Sequence, residues 1–315
     1  MNFQIDNEFS KNKPALEKDV KKNIICGILA VSMFSAVSVN SLDERPERKT
    51  YSDRNTADKT HIASADLIER QWGKYFSDRN VTGTIYIVDE RGKGGNFVYN
   101  RDRATRRFTP ASTFKIPHAL FVLDAGIVKD EFQVFPWDGV KRSVGIEKYD
   151  AVWNSNQTLP LSLRYSVVWL YQQFARELGS QKEIEYLSRL DYGNATVGKD
   201  VEQFWLDGSL EISALEQVAF LQKLYRNQLP FAVEHQRLVK DLMITEASSD
   251  YKIRSKTGWG TPEDKDDVGW YVGWVERDNG AVFFAANIEM QNGEADLSKR
   301  ISIVQDVLRD IDALD

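Results

Sequence analysis

Hydrophobic and polar positions follow two different periods along this chain. Near the N-terminus, GTIYIVDE at residues 83 to 90 and NFVYN at residues 96 to 100 are rich in β-branched and aromatic residues, and a glycine-rich link joins them. Near the C-terminus, IRSKTGW, VGWYVGWVER and AVFFAANIE have the same character. Runs of this composition are typical of strands. The pattern predicts a hairpin near one end and three strands near the other.

The middle of the chain has the period of helices instead. From about residue 111 to residue 245, apolar residues recur three and four positions apart, which places them on one face of a helix. Ser213 followed by Glu216 has the spacing of a capping box, in which each side chain binds the other residue's backbone N–H. The helical segments predicted here are residues 162 to 178, 182 to 190 and 213 to 227.

Two more helices are predicted outside this middle region. One covers residues 64 to 76, with Leu67, Trp72 and Tyr75 on one face, and the other is LSKRISIVQDVLRDI near the C-terminus. Strands at both ends with helices between them predict an α+β fold. In this fold the two ends form one antiparallel sheet, terminal helices flank it, and a mainly helical lobe packs beside it. A ligand site is expected in the cleft between sheet and lobe.

Composition excludes some functions but selects none. The chain has 315 residues, of which 42% are hydrophobic and 28% charged, as in ordinary globular proteins. A net charge of −6 and a pI near 5.4 argue against binding to nucleic acid, because no basic field would attract phosphates. The single cysteine, Cys26, and the scattered His61, His118 and His235 lack the spacing of a metal site.

The N-terminus has the pattern of an export signal. An apolar run at residues 24 to 39 follows Lys21 and Lys22 and ends in small and polar residues. This pattern is typical of a secretory signal and is short for a membrane span. An uncleaved membrane anchor is the alternative. Because the polar segment before the run is unusually long, we hypothesise that translation starts at Val20.

This signal predicts a three-part chain whose mature form lies in the periplasm without stable membrane association. Residues 42 to 62 have little apolar content, so a flexible lead-in is expected before the folded domain. The predicted parts are a signal peptide at residues 1 to 41, a lead-in at 42 to 62 and a folded domain at 63 to 315.

A serine and a lysine three residues apart form the first candidate site. If a helix begins near Pro110, Ser112 and Lys115 lie on one face of it. A serine hydroxyl becomes a nucleophile when a neighbouring group takes its proton, and a desolvated lysine is neutral enough to do so. The spacing alone is weak evidence for catalysis, because a capped helix start followed by a solvated lysine has the same sequence pattern.

Two later segments complete an ordered set of hydroxyls and amines. Ser166 lies within the apolar stretch YSVVW, and Lys256-Thr257-Gly258 lies on a predicted C-terminal strand. Each has an ordinary structural alternative: a serine bonded to its own helix, and a bulge beside a surface lysine. In this order, Ser-x-x-Lys, a serine in the helical lobe and Lys-Thr-Gly are the signature of active-site-serine enzymes that recognise penicillin.

Two further motifs make the resemblance specific. The middle motif reads Ser-x-Val rather than Ser-x-Asn, YGN follows at residues 192 to 194, and FWLDG follows at residues 204 to 208. Together with STFK at residues 112 to 115, these resemble the class D, or oxacillin-hydrolysing, serine β-lactamases. The similarity runs from about residue 66 to residue 313 and is greatest to the narrow-spectrum branch.

The resemblance implies hydrolysis of the β-lactam ring of penicillin- and oxacillin-type antibiotics through an acyl-enzyme. Ser112 is the implied nucleophile, and Lys115 is the implied general base after reaction with CO2 gives N6-carboxylysine. Ser166 is implied to pass a proton to the leaving lactam nitrogen, with Lys256 supplying positive potential beside it. CO2 or bicarbonate is required, and no metal or other cofactor is implied. The implied supports of the modified lysine are Phe114, Val168, Leu206 and Trp205, the last through its indole N–H.

The resemblance also implies how substrate is held. The backbone N–H groups of Ser112 and Trp259 match the oxyanion hole. In the last helix the neighbouring Lys299 leaves the choice of carboxylate-binding residue open. Tyr192 and Asn194 are expected to support a loop, and the acidic loop at residues 260 to 267 is expected to border the cleft. The implied substrate-binding residues are Thr257, Gly258, Arg300 and, at the cleft rim, Trp153.

Two other functions fit the same motifs. A membrane-bound β-lactam sensor would keep the acyl-enzyme rather than hydrolyse it, but such domains follow several membrane spans. A penicillin-binding transpeptidase or carboxypeptidase would normally have Ser-x-Asn and a retained anchor or further domain. β-Lactams are the expected partners, and the chain is expected to be a monomer or a homodimer.

Overall fold

The computed structural model describes residues 67 to 314, except Lys93, Gly145, Ile146, Asp264 and Asp266. The predicted signal peptide and lead-in lie outside the described residues and stay predictions. Within the described part, no helix is long and apolar enough to cross a membrane.

One mixed sheet joins the two ends of the described chain. Its order is β1-β3-β2-β7-β6-β5-β4. Because β2 pairs antiparallel with both β3 and β7, the predicted hairpin lies beside the C-terminal strands, as expected. The prediction of a purely antiparallel sheet is wrong at one edge, where β1 pairs with β3 in parallel. The strands are β1 (Leu67–Glu69), β2 (Gly83–Asp89), β3 (Gly95–Tyr99), β4 (Ile244–Ala247), β5 (Lys252–Gly260), β6 (Val268–Arg277) and β7 (Gly280–Glu289).

Helices fill the chain between β3 and β4 and flank the sheet. As predicted, the helix at residues 213 to 227 begins with a capping box in which Ser213 and Glu216 bind each other's backbone N–H. The helices are α1 (Gly73–Ser77), α2 (Arg101–Thr105), α3 (Lys115–Asp124), α4 (Glu147–Trp153), α5 (Leu159–Arg164), α6 (Val168–Leu190), α7 (Ala214–Tyr225), α8 (Val233–Leu242) and α9 (Lys299–Asp310).

The predicted helix over residues 64 to 76 is wrong for most of its described length. The backbone of β1 pairs with β3 instead of forming helical hydrogen bonds, and only α1 is helical. The apolar residues of the pattern are buried separately. Trp72 Nε1 and Tyr75 Oη donate hydrogen bonds of 2.8 and 2.9 Å to the two carboxylate oxygens of Asp310 on α9. The shared face of Trp72 and Tyr75 therefore reflects contact with α9, whereas Leu67 packs in the other core.

The sheet separates two hydrophobic cores. Since side chains alternate along a strand, Tyr86 and Val88 of β2 face the core of the helical lobe, whereas Ile85 and Ile87 face the core that contains α9. Helix α7 packs against β2 and β7, and α9 packs against β6, β7 and α1. The strand β5, which carries the Lys-Thr-Gly motif, packs against the turn that precedes α3.

Candidate active site

Ser112 and Lys115 lie at the junction of a 3₁₀ turn, Ala111–Phe114, and helix α3. Lys115 Nζ donates a 3.1 Å hydrogen bond to Ser112 Oγ, so the two groups share one face as predicted. The first turn is 3₁₀ rather than α-helical. The Ala111 N–H holds the turn in place with a 3.0 Å bond to Trp205 O. An unprotonated amine in this position can accept the hydroxyl proton.

Lys115 is enclosed by the protein. Its side chain has no solvent exposure, and Nζ lies 4.9 Å from the centroid of the Tyr171 ring. Burial lowers the pKa of Lys115 from 10.5 to about 7, because a low-dielectric environment disfavours the charged ammonium. A large share of the lysine is therefore unprotonated near neutral pH.

This pKa shift predicts how stability depends on pH. In CO2-free buffer, the free energy of unfolding should rise between pH 7 and pH 10, because folded Lys115 loses its proton near pH 7 while the unfolded lysine keeps it to about 10.5. Chemical denaturation across this range measures the change. A Lys115→Met variant lacks this proton linkage, so its curve should rise less. Parallel curves for the two proteins would contradict the shift.

Trp205 and Phe114 form one wall beside Lys115. Their rings stack with centroids 5.7 Å apart and planes at 26°. The Trp205 side chain is fully buried, and within the described structure its indole nitrogen has no hydrogen-bond partner. A buried N–H without a partner is costly and indicates a missing acceptor. Of the other two predicted supports, Val168 begins α6 and lines a cavity with Ser112, and Leu206 packs half-buried against the same core.

Ser166 lies outside any helix, in the link between α5 and α6. The predicted helix over residues 162 to 178 is therefore wrong at Tyr165–Val167, where Ser166 adopts a positive φ of 55°. The reversal is fixed by a 2.9 Å hydrogen bond from the Val167 N–H to Ser162 O. It brings Ser166 Oγ to Lys256 Nζ, which donates a hydrogen bond to it. Helical geometry would not have allowed this contact with β5.

Lys256 is the second buried lysine of the site. Its Nζ also donates a 2.9 Å bond to Thr257 O. Burial, followed by the positive charges of Lys115 and Arg300, lowers the pKa of Lys256 well below its ordinary value. Arg300 beside these two amines keeps its charge at neutral pH, so its guanidinium gives the region a positive potential. The region suits a substrate that carries a carboxylate.

A cavity of about 490 Å³ brings the predicted residues together. Strand β5 comes close to the serine turn at Gly258, where an added Cβ would lie 3.0 Å from Pro110 O. A second cavity of about 600 Å³ shares Thr257 and Arg300 with the first and is lined by Lys256. The predicted residues that line the first cavity are Ser112, Trp153, Ser166, Val168, Thr257, Gly258, Trp259 and Arg300.

The structure also resolves the choice between the two basic residues at the start of α9. Lys299 Nζ lies 2.7 Å from Asp296 Oδ1 and is paired there. Arg300 is buried and donates a hydrogen bond to Gly258 O on β5. Burial lowers the pKa of Arg300 to about 10, so it stays charged at neutral pH. Of Lys299 and Arg300, it is thus Arg300 that lines the cavity.

Sequence reasoning missed seven residues of the cavity, which are Ser143, Val144, Tyr149, Arg164, Tyr165, Glu294 and Leu297. Arg164 and Tyr165 directly precede Ser166, so their proximity to that motif was an available signal. Tyr149 lies on α4 and is T-stacked on Tyr165 at 5.5 Å, a contact that no local pattern indicates. Glu294 lines the cavity from the connection between β7 and α9, far from every motif.

Two loop predictions have different outcomes. Asn194 supports a loop as expected: Nδ2 donates a 2.8 Å bond to Ser209 O, and Oδ1 accepts a 3.1 Å bond from the Glu211 N–H. The acidic loop does not border the cleft through any of its described residues. Instead, Lys265 pairs with Glu211 at 2.6 Å, and this lysine lines a separate cavity with Arg106. The ion pair draws the loop away from the serine.

Fold and site together define an active-site-serine enzyme that recognises penicillin. A family model described as "Penicillin binding protein transpeptidase domain" matches residues 72 to 309. Among solved structures, the class D β-lactamase FUS-1 (OXA-85) from Fusobacterium nucleatum subsp. polymorphum has a TM-score of 0.73 and 35% identity, covering 78% of this chain and 100% of its own. The class D β-lactamase YbXI from Nostoc has a TM-score of 0.72 and 33% identity, covering 77% and 99%.

Sequence relatives narrow this class. Beta-lactamase OXA-20 of Pseudomonas aeruginosa is 50% identical over 283 residues, which are 90% of this chain and 96% of the relative. Beta-lactamase OXA-2 of Salmonella typhimurium is 50% identical over 255 residues, 81% of this chain and 89% of the relative. The chain belongs to the class D serine β-lactamases, and it is a hydrolase of β-lactams.

Proposed function

We propose that this chain hydrolyses penicillins and oxacillin-type β-lactams through an ester on Ser112. Ser112 Oγ attacks the lactam carbonyl, the C–N bond of the ring breaks, and the nitrogen leaves with a proton. Water then cleaves the ester and regenerates the hydroxyl. The observation that carries the proposal is the fully buried Lys115, whose pKa is about 7 and whose Nζ lies 3.1 Å from Ser112 Oγ.

Lys115 is further proposed to act as N6-carboxylysine. Two features fit a carboxylate at this place: the amine is unprotonated often enough to react with CO2, and the buried Trp205 indole N–H lacks an acceptor. The modified side chain supplies an anionic proton acceptor next to the nucleophile. Phe114, Val168 and Leu206 keep water away from it, which retains the amine in its neutral form before modification.

Ser166 and Lys256 are proposed to deliver the proton to the leaving nitrogen. Lys256 Nζ donates to Ser166 Oγ, so the hydroxyl can pass on its proton while the amine compensates the developing charge. The backbone N–H groups of Ser112 and Trp259 are proposed to bind the oxyanion, where each donor typically contributes about 3 kcal/mol. All four residues belong to the cavity region around the serine turn and β5.

Substrate is proposed to bind through its carboxylate. Arg300 can form a bidentate contact with a carboxylate, and Thr257 and Gly258 line the same cavity. Trp153 lies at the rim, where its ring covers the substrate side chain. Its indole Nε1 donates a 2.9 Å bond to Tyr165 O, which fixes the ring.

The site of action is proposed to be the periplasm, after removal of the signal peptide. β-Lactams act outside the cytoplasm, and the basic pair followed by a short apolar run supports export. The mature protein is proposed to work as a monomer or a homodimer. Hydrolysis there would confer resistance to these antibiotics.

Steady-state hydrolysis of benzylpenicillin and oxacillin, with and without added bicarbonate, tests the function. We expect many turnovers per enzyme, with a rate that falls in degassed buffer and recovers with bicarbonate. The loss should be largest at low pH, where carbamates decompose. One-for-one acylation without turnover would indicate a sensor instead, and an equal rate in both buffers would contradict the modified lysine.

A further inference from the structure

A histidine and a glutamate are buried together next to Lys115. His118 follows Lys115 by one turn of α3, and Glu183 lies in the second half of α6. His118 Nε2 lies 2.8 Å from Glu183 Oε1, and both side chains are 0% exposed. Within the described structure, neither the carboxylate oxygens nor the ring nitrogens make a well-aligned hydrogen bond, so the two side chains are close polar neighbours without a hydrogen bond. Burying such a pair is expensive, and an apolar pair would often be as stable.

The imidazole ring touches both walls around Lys115. It stacks on Phe114 at 5.2 Å and 24°, and Phe114 in turn stacks on Trp205. On its other side, His118 lies 5.6 Å from the Tyr171 ring, which is the ring below Lys115 Nζ. A shift of His118 would therefore move the wall that carries the unpartnered indole N–H.

The pair also connects α3 with α6, which pack against each other. His118 belongs to the helix that begins with the lysine, and Glu183 lies beyond the interruption at Gly179, where φ is 75° and ψ is 157°. His118 contacts the rings that enclose Lys115, so the pair influences Lys115 through position. Removing the carboxylate leaves the imidazole without its partner and free to change orientation.

We propose that His118 and Glu183 are positioning residues that hold the stack of His118, Phe114 and Trp205 in the geometry required for carboxylation of Lys115. This proposal rests on the modified lysine of the proposed function. Neither residue lines the cavity with Ser112, so neither is expected to contact substrate. The pair fixes how readily the lysine captures CO2, and it leaves the chemistry on Ser112 unchanged once the lysine is modified.

The test uses Glu183→Met, which keeps the length of the side chain and removes the polar partner of the imidazole. The full chain is titrated with ¹³C-bicarbonate, and the carbamate signal is measured by NMR beside kcat. We expect the half-saturating bicarbonate concentration to rise about tenfold, as for loss of a buried polar partner. At saturating bicarbonate, kcat should stay within about twofold of the parent. Glu185→Gln, an exposed glutamate on the same helix, is the matched control and should titrate like the parent.

Other results overturn the proposal in distinguishable ways. Equal half-saturation in Glu183→Met and the parent shows that the pair does not act on Lys115. Absence of any carbamate signal in the parent shows that Lys115 is not modified, and this inference then fails with the proposed function. Glu183→Gln, which keeps an oxygen beside His118 and should titrate closer to the parent, is measured in parallel together with thermal unfolding. If both variants lose cooperative unfolding, the pair serves folding and the proposal fails.

Discussion

Replacing Lys115 by alanine is expected to lower kcat for benzylpenicillin by about 10²- to 10⁴-fold, the usual contribution of a general base. The amine is the group nearest the Ser112 hydroxyl, at 3.1 Å, so its loss removes the proton acceptor for both half-reactions. Any ester that still forms on Ser112 should persist, because nothing remains to activate water. Mass spectrometry of the intact protein detects this adduct, and steady-state hydrolysis measures the loss.

The fold of this variant should survive. Lys115 is buried with a depressed pKa, so its removal relieves a desolvation cost that offsets the small cavity it leaves. Lys182→Ala is the matched control, because Lys182 is exposed and forms its ion pair with the exposed Glu185 at 2.9 Å. Normal turnover by Lys115→Ala, with an unchanged thermal unfolding curve, would show that Lys115 is not the general base.

Replacing Ser166 by alanine is expected to slow acylation by about 10²- to 10³-fold. Its hydroxyl lies between Lys256 Nζ and the cavity that contains Ser112, and proton delivery to a leaving nitrogen contributes on this scale. Hydrolysis of the ester does not involve that nitrogen, so its rate should change much less. Rapid quenching of a single turnover separates the two rates.

A variant on α6, the helix that follows Ser166, provides the comparison. Ser188→Ala alters an exposed serine of α6 and should leave both rates unchanged. If Ser166→Ala acylates as fast as the parent, Lys256 alone delivers the proton and the relay through Ser166 is wrong. If ester hydrolysis slows as much as acylation, the change acts on Lys115 rather than on the leaving nitrogen.

The sequence pattern correctly predicted the elements that form between residues close together in the chain. The hairpin of β2 and β3 follows from two β-rich runs around glycines, and the capping box at Ser213 follows from the spacing of two side chains. The wrong predictions concern segments whose conformation depends on contacts with residues distant in the sequence. The short strand β1 forms because β3 offers a free edge, and Ser166 leaves the helix because Val167 bonds back to Ser162.

The site residues also divide into those that the sequence pattern predicted and those that depend on contacts distant in the sequence. Ser112 and Lys115 could be placed together from helical spacing, and the order of the motifs indicated Ser166 and Lys256. Arg300 came only from the resemblance, since an arginine beside a lysine has no local signature; the pairing of Lys299 with Asp296 separates them. The pair of His118 and Glu183 was not predicted, because their contact depends on how α3 packs against α6.

The most direct test of the central claim is a high-resolution crystal structure of active enzyme grown near neutral pH with bicarbonate present. The account predicts continuous electron density for a carboxyl group on Lys115 Nζ, with one of its oxygens accepting a hydrogen bond from the Trp205 indole. A bare Lys115 ammonium in crystals that still turn over substrate would contradict it.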